Sequence, residues 1–279
     1  DGDMDVLSAS QNDDKIAWYE NDGSESFTEH VISTSASLTK SVYAADVDAD
    51  GDMDVLSASK DDDKIAWYEN DGSESFTEHV ISTSADGAGS VYAADVDGDG
   101  DMDVLSSSRD DDKIAWYEND GSEGFTEHAI STSANGARSV YAADLDADGD
   151  MDVLWASMDD HKIAWYENNG SESFTEHTIS TSANGARSVY AADVDGDGDM
   201  DVLSASGDDD KIAWYEQEGS PVQTTYVPDD NFEQALIDLG YDDAMDDYVL
   251  TANISGVTSL DVGEKEISDL TGIAGFTAL

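Results

Sequence analysis

"DGDMDVL", residues 50–56, recurs with its first letter at Asp1, Asp99, Asp148 and Asp197, a strict period of 49 residues. Self-similarity at a fixed period is the mark of an array of like units, none of which can bury its apolar faces alone. Outward from this heptad, one unit reads "SVYAADV", the aspartate loop, "DVLSAS", a "KDDD" turn, "KIAWYE", an "NDGSES" turn and "FTEHVIS". Those are four short runs rich in Val, Ile, Tyr, Trp and Thr, separated by clusters of Asp, Asn, Gly and Ser, the pattern of four strands and their turns. The unit lacks the 3.6-residue periodicity of helical or leucine-rich repeats. "VYAA" and "IAWY" place carbon on both faces of a strand, which predicts sheets covered on both sides. The expectation is an all-β chain, a β-propeller of four-stranded blades with repeats starting near residues 1, 41, 90, 139 and 188.

The chain of 279 residues carries 66 acidic against 11 basic residues, a formal charge of −55. Such a surface repels nucleic acid and anionic headgroups, so neither is expected as a partner. Apolar residues make up 39% and include six Trp and twelve Tyr, enough for a core, so the acidity must be clustered and compensated by cations. Without cysteine there are neither disulfides nor thiolate metal sites. No run approaches the roughly 20 apolar residues that span a bilayer.

The aspartates have a spacing of their own. Asp46, Asp48, Asp50 and Asp54 stand at positions 1, 3, 5 and 9 of a loop with Gly51 at position 6. A calcium loop of the EF-hand kind wants oxygens at 1, 3 and 5, a backbone carbonyl at 7, here that of Asp52, and a further oxygen at 9, with glycine at 6. The same set recurs as Asp95, Asp97, Asp99, Asp101 and Asp103; as Asp144, Asp146, Asp148, Asp150 and Asp152; and as Asp193, Asp195, Asp197, Asp199 and Asp201. Asp101, Asp150 and Asp199 are the carbonyl donors at position 7. Asp1, Asp3 and Asp5 form a partial copy. Position 12 is Ser57 rather than a bidentate Glu, so the ninth aspartate is expected to do more. Position 4 alternates between Ala49 or Ala147 and Gly98 or Gly196, which predicts that position 6 alone needs a glycine-like backbone. Hard oxygen donors without His or Cys favour Ca²⁺ as the cofactor over transition metals, and many carboxylates on a flexible loop favour it over Mg²⁺.

On "DVDGDGDMDVL" and "KIAWYEND" the first 217 or so residues resemble the FG-GAP or VCBS repeats of bacterial secreted and surface proteins, whose calcium loops also occur in the propeller of integrin α subunits. The resemblance implies a propeller with one Ca²⁺ per repeat, between the first two strands of each blade, and an extracellular or cell-surface location. It implies a non-enzymatic adhesion or interaction module with glycans or surface proteins as partners. The alternative is a structural subunit that self-associates head to tail into a filament or matrix.

Periodicity stops at Ser220, which divides the chain into residues 1–219 and 220–279. "SPVQTTYVP" reads as a linker or a last strand. Pro228, the capping candidates Asp229 and Asp230, the apolar Phe232, Ala235, Leu236 and Leu239, and the stop Gly240 predict a helix. The tail, "VPDDNFEQALIDLGYDD" with "VTSLDVGEKEISDLTGI", is similar to the capping helix and first repeat of bacterial leucine-rich repeat domains. Repeat 1 has no "SVYAADV" and repeat 5 no "FTEHxIS", so the ring is expected to be incomplete within this chain. Either "VQTTYV" (residues 222–227) fills one gap and upstream repeats lie outside the sequence, or another copy supplies strands.

Four other groups recur or break the pattern. His30, His79, His128 and His177 share one "FTEH" context, which suits a strand surface better than an active site. The "DDDK" turns at 61–64 and 110–113 are solvated turns or a second metal site. Trp18, Trp67, Trp116, Trp165 and Trp214 are expected between blades, with sugar stacking as the sharper alternative. Trp155, Met158 and His161 replace what are Ser57, Lys60 and Asp63 in the second repeat, by drift or as a ligand patch.

Overall fold

Runs of Val, Ile, Tyr and Trp that end in Asp and Gly clusters have one stable outcome, short strands paired through tight turns. The computed structural model describes every residue except Asp1, Glu123, Glu172, 218–223, Asp243 and Glu264. Its contacts divide the chain into Asp1–Gln217 and Glu218–Leu279.

In the first unit β1 (Val6–Ser10), β2 (Lys15–Asn21) and β3 (Phe27–Ser33) form a three-stranded antiparallel sheet. Three four-stranded sheets follow in strict chain order. They are β4 (Thr39–Ala45), β5 (Asp54–Ser59), β6 (Lys64–Asn70) and β7 (Phe76–Ser82); β8 (Ala88–Ala94), β9 (Asp103–Ser108), β10 (Lys113–Asn119) and β11 (Phe125–Ser131); and β12 (Ala137–Ala143), β13 (Asp152–Ser157), β14 (Lys162–Asn168) and β15 (Phe174–Ser180). The last sheet is β16 (Ala186–Ala192), β17 (Asp201–Ser206) and β18 (Lys211–Tyr215). This is a repeated, propeller-like arrangement of antiparallel blades; among the described residues no strand of the first sheet pairs with one of the last.

Burial follows position in the blade. Every residue of β5, β9 and β13 is buried, because these second strands are covered on both faces. The fourth strands β7, β11 and β15 are exposed or half-buried at almost every residue. Cores lie between blades: Ala45, Leu56, Ile65 and Trp67 of one sheet pack with Ala88, Val91, Val104 and Tyr117 of the next. The first strands follow one another, tied by the Val91, Val140 and Val189 amides donating to the Ser41, Ser90 and Ser139 hydroxyls. Tyr43, Tyr92, Tyr141 and Tyr190 continue that row as ring pairs 4.4, 4.7 and 4.8 Å apart.

In the second unit, β19 (Thr224–Tyr226) pairs antiparallel with β20 (Tyr248–Leu250). The expectation that residues 222–227 complete a blade is therefore corrected: Thr224–Tyr226 is used within this unit, and Val222 and Gln223 lie outside the described residues. Helix α1 (Asp230–Asp238) starts at Asp229, whose carboxylate accepts from the Asn231 and Phe232 amides, and stops before Gly240 in a left-handed conformation. Phe232, Ala235 and Leu236 are buried, whereas Leu239, expected on the same apolar face, is exposed at the C-cap. Helix α2 (Thr251–Ser255) and a 3₁₀ turn (Ile273–Gly275) complete it, and residues 256–272 hold no strand among those described.

Candidate metal centres

Each aspartate loop joins the first strand of a blade to the second, so its carboxylates are gathered by backbone turns rather than by distant contacts. In the 46–54 loop, Asp46 Oδ2 accepts from the Gly51 amide at 3.1 Å, Asp48 Oδ1 from Asp50 at 3.1 Å and Asp50 Oδ1 from Asp52 at 2.9 Å. The 95–103, 144–152 and 193–201 loops repeat these bonds. One oxygen each of Asp46, Asp48 and Asp50 lies within 4.8 Å of the others, as for Asp95, Asp97 and Asp99 and for Asp193, Asp195 and Asp197; in the remaining loop Asp144 and Asp146 are joined by Asp152.

The ninth aspartate has a duty that spacing did not reveal. Asp54, Asp103, Asp152 and Asp201 are wholly buried. In each, Oδ2 accepts from the amide at loop position 2 (Val47, Val96, Leu145, Val194) and Oδ1 from the amide at the end of the third strand (Asn70, Asn119, Asn168) or just beyond it (Gln217), all at 2.8–3.0 Å. It ties the loop to the sheet. Burial pushes the Asp54 and Asp103 carboxyls up to about 6 and that of Asp152 to about 7. At Asp201 the same burial is outweighed by amide donors from Gln217 and Val194, and the pKa falls. Burial and then neighbouring carboxylates raise Asp48, Asp97 and Asp146, the signature of like charges held together.

Position 6 is left-handed in all four loops, as Gly51, Gly100, Gly149 and Gly198. Position 4 is left-handed too: φ is 60° at both Ala49 and Ala147, 77° at Gly98 and 83° at Gly196. The expectation that only position 6 needs such a backbone is corrected, because the loop turns twice and alanine occupies the first turn at a conformational cost. The side chain of Asp52 at position 7 is turned toward the turn between β6 and β7, where a Cβ on Gly72 would stand 2.5 Å from its Oδ2. In the partial copy, Asp5 Oδ1 accepts from the Asn21 amide at 2.8 Å, while Asp1 lies outside the described residues.

The other recurring groups are engaged locally. His30, His79, His128 and His177 each stack on the paired Trp18, Trp67, Trp116 or Trp165, with ring centroids 4.2–4.7 Å apart, and face Glu20, Glu69, Glu118 or Glu167. Trp67 and Trp116 are buried between blades, whereas Trp214 is half exposed. In the "DDDK" turns the third aspartate is a staple: Asp63 and Asp112 accept from the Gly87 and Gly136 amides. Among the described residues, the groups of three carboxylates all lie in the 49-residue-spaced loops. Trp155 is buried against Tyr166, and His161 Nδ1 accepts from the Gly185 amide in place of the aspartate staple. The ligand-patch expectation is corrected there, since the largest apolar side chain of the trio faces the core.

Among solved structures, the chain is similar to an Agrocybe aegerita lectin described for specific recognition of non-reducing terminal N-acetylglucosamine, at 18% identity and a TM-score of 0.49, covering 72% of this chain and 60% of that one. It is also similar to a mutant of the Aleuria aurantia lectin in complex with Fucα1-6GlcNAc (15%, 0.47, 77% and 75%) and to a streptogramin B lyase (13%, 0.44, 80% and 83%). This chain thus spans 60% of the length of the Agrocybe lectin. No curated protein matches it. The family described as FG-GAP-like repeat matches residues 1–57, 46–106, 95–155 and 144–204, each match running from one aspartate loop into the next. With residues 1–204 of 279 accounted for in this way, the chain belongs to the FG-GAP-like repeat proteins.

Proposed function

We propose that this chain is a non-enzymatic, calcium-stiffened interaction module that works outside the cell, on a bacterial surface or secreted. The observation that carries the reading is the gathering of three carboxylates within 4.8 Å in each of four successive loops. The donor set fits a hard cation. All of its side chains are carboxylates, and Asp46 Oδ1 is buried with no hydrogen-bond donor facing it, an orphan that a cation satisfies. Asp46, Asp48, Asp50 and Asp54, with the Asp52 carbonyl, would hold one Ca²⁺, and the three equivalent loops one each. Bound Ca²⁺ supplies charge neutralisation and a cross-link between the first two strands of a blade. Exposed loops rich in carboxylates suit the millimolar calcium outside cells, where weak sites fill. Glycans or surface proteins are the partner classes. The second unit is read as the opening cap of a leucine-rich repeat domain, on its capped helix and the Leu, Ile and Val spacing after it. Calorimetric titration with calcium chloride, paired with melting curves in millimolar calcium and in EDTA, tests the reading. It expects about four sites and a lower melting temperature in EDTA; identical curves refute it.

A second reading, head-to-tail self-association, is favoured by one observation. Ile65, Ile114 and Ile163 are wholly buried between blades, but their equivalent Ile212 is 85% exposed, beside Trp214 at 46%. The first blade leaves Val6 and Phe27 about half exposed. A second copy placing its first blade on the last would continue the packing already used four times. Light scattering across a concentration series decides, with a monomer at every concentration against it.

A further inference from the structure

Strands β6, β10 and β14 end in Asn70, Asn119 and Asn168, and Gln217 holds the equivalent place just after β18. Asn119 is 2% exposed, and its amide and both polar atoms of its side chain are engaged. Its amide donates to Asp103 Oδ1 at 2.8 Å, its Oδ1 accepts from Gly121, and its Nδ2 donates to two carbonyls, Met102 at 3.1 Å and Val47 at 3.0 Å. Met102 belongs to the 95–103 loop of its own blade. Val47 belongs to the 46–54 loop of the blade before, 72 residues away. Asn168, 1% exposed, repeats the bridge from Met151 to Val96, and Gln217 reaches Leu145 while its amide holds Asp201. Asn70 donates to the Met53 carbonyl in its own loop.

We propose that Asn119, Asn168 and Gln217 are positioning residues that couple neighbouring cation loops, so that the four sites fill cooperatively. The inference rests on the cation-binding reading above. Val47 stands between the ligand candidates Asp46 and Asp48, and Met102 between Asp101 and Asp103. A cation that orders the 46–54 loop fixes the Val47 carbonyl and with it the buried Asn119 amide. That amide in turn holds the Met102 carbonyl and Asp103, so part of the ordering of the next loop is already done when its own cation arrives. Two buried donors on one side chain cannot serve one loop and leave the other unmade without stranding a polar group, which is costly away from water. Ordering that one ligand accomplishes for the next is positive cooperativity. By reciprocity, the fourth loop helps the third as much as the third helps the fourth.

Titration of the full chain with calcium chloride tests this. The unaltered protein is expected to give a Hill coefficient above one. Asn119→Leu with Asn168→Leu keeps the volume and removes two of the three bridges, and is expected to lower the coefficient to what the remaining Gln217 link between the last two loops supports, with the midpoint weakened on the order of 5-fold for each bridge lost. Asn119→Gln should restore coupling, as Gln217 does in the last blade. Independent sites in the unaltered chain, or an unchanged coefficient in the double variant, overturns the coupling while leaving the cation sites standing. No binding by a chain that is folded in circular dichroism overturns the cation reading itself. If the double variant does not fold, Gln217→Leu at a half-buried position must lower the coefficient by severing the last link alone, and an unchanged coefficient there also overturns the coupling.

Discussion

Replacing one isoleucine by alanine at the same place in two different repeats should give two different answers. Ile114 and Ile212 occupy the same letter of "KIAWYE", yet Ile114 is wholly buried with Leu105, Trp116, Val140 and Val153, whereas Ile212 is 85% exposed. Ile114→Ala removes three buried carbons, about 2.4 kcal/mol of transfer free energy at about 0.8 kcal/mol each, and leaves a cavity that raises the cost to about 3–4 kcal/mol. Ile212→Ala removes the same carbons from water and should cost less than about 0.5 kcal/mol in dilute solution. The assay is urea unfolding at fixed calcium, followed by tryptophan fluorescence at low micromolar protein. Hydrogen exchange at the amides of β9, β10 and β13 would read the local loss, because neighbouring repeats dominate stability in such arrays. Equal costs at the two positions would refute the inter-blade packing argument. A cost at Ile212 that grows with protein concentration would instead mark the last blade as an interface between copies.

Asp97→Asn should remove one of about four calcium equivalents and, at a hundredfold excess of calcium over Kd, about 2.7 kcal/mol of the stabilisation it confers, while leaving the EDTA melting curve almost unchanged; a full stoichiometry in calorimetry would contradict it. Ala49→Gly, which relieves a φ of 60° at a position that glycine (Gly98, φ 77°) fills in the next loop, should be neutral or stabilising by up to about 1 kcal/mol after the unfolded-chain entropy of glycine is set against it, and a clear loss in thermal melts would mean that the Ala49 methyl packs. In the second unit the Ser268 hydroxyl and amide, with the Phe232 and Asp269 amides, lower Asp229 to about 2. Its folded pKa lies below the unfolded value near 3.9, so its contribution is present above about pH 4 and is lost as the pH falls toward 2; Asp229→Ala should flatten that stretch of an acid titration monitored by the α1 circular dichroism.

The repeat and its strands were legible because they are local. A 49-residue period, runs of Val, Ile, Tyr and Trp, and turn clusters determine four antiparallel strands without reference to anything far away. The candidate loops were legible for the same reason: Asp46, Asp48 and Asp50 are brought together by the turns they themselves cap. The helix after Pro228 was likewise marked by its cap and stop residues. What spacing could not supply was the partner of each group across the fold. It offered Asp103 as a ligand, but not that both of its oxygens also hold the Val96 and Asn119 amides. It saw the asparagine of "YEND" only as the start of a turn, because its second carbonyl lies 72 residues back. Thr224–Tyr226 looked like a blade strand until its pairing with Tyr248–Leu250 was seen, since strand propensity is silent about the partner. Ile114 and Ile212 are identical in sequence context and opposite in exposure. The amino-acid pattern determines what each repeat is, and only the packing of one repeat on the next decides what each residue in it does, because burial, bridging and unsatisfied faces are properties of neighbours.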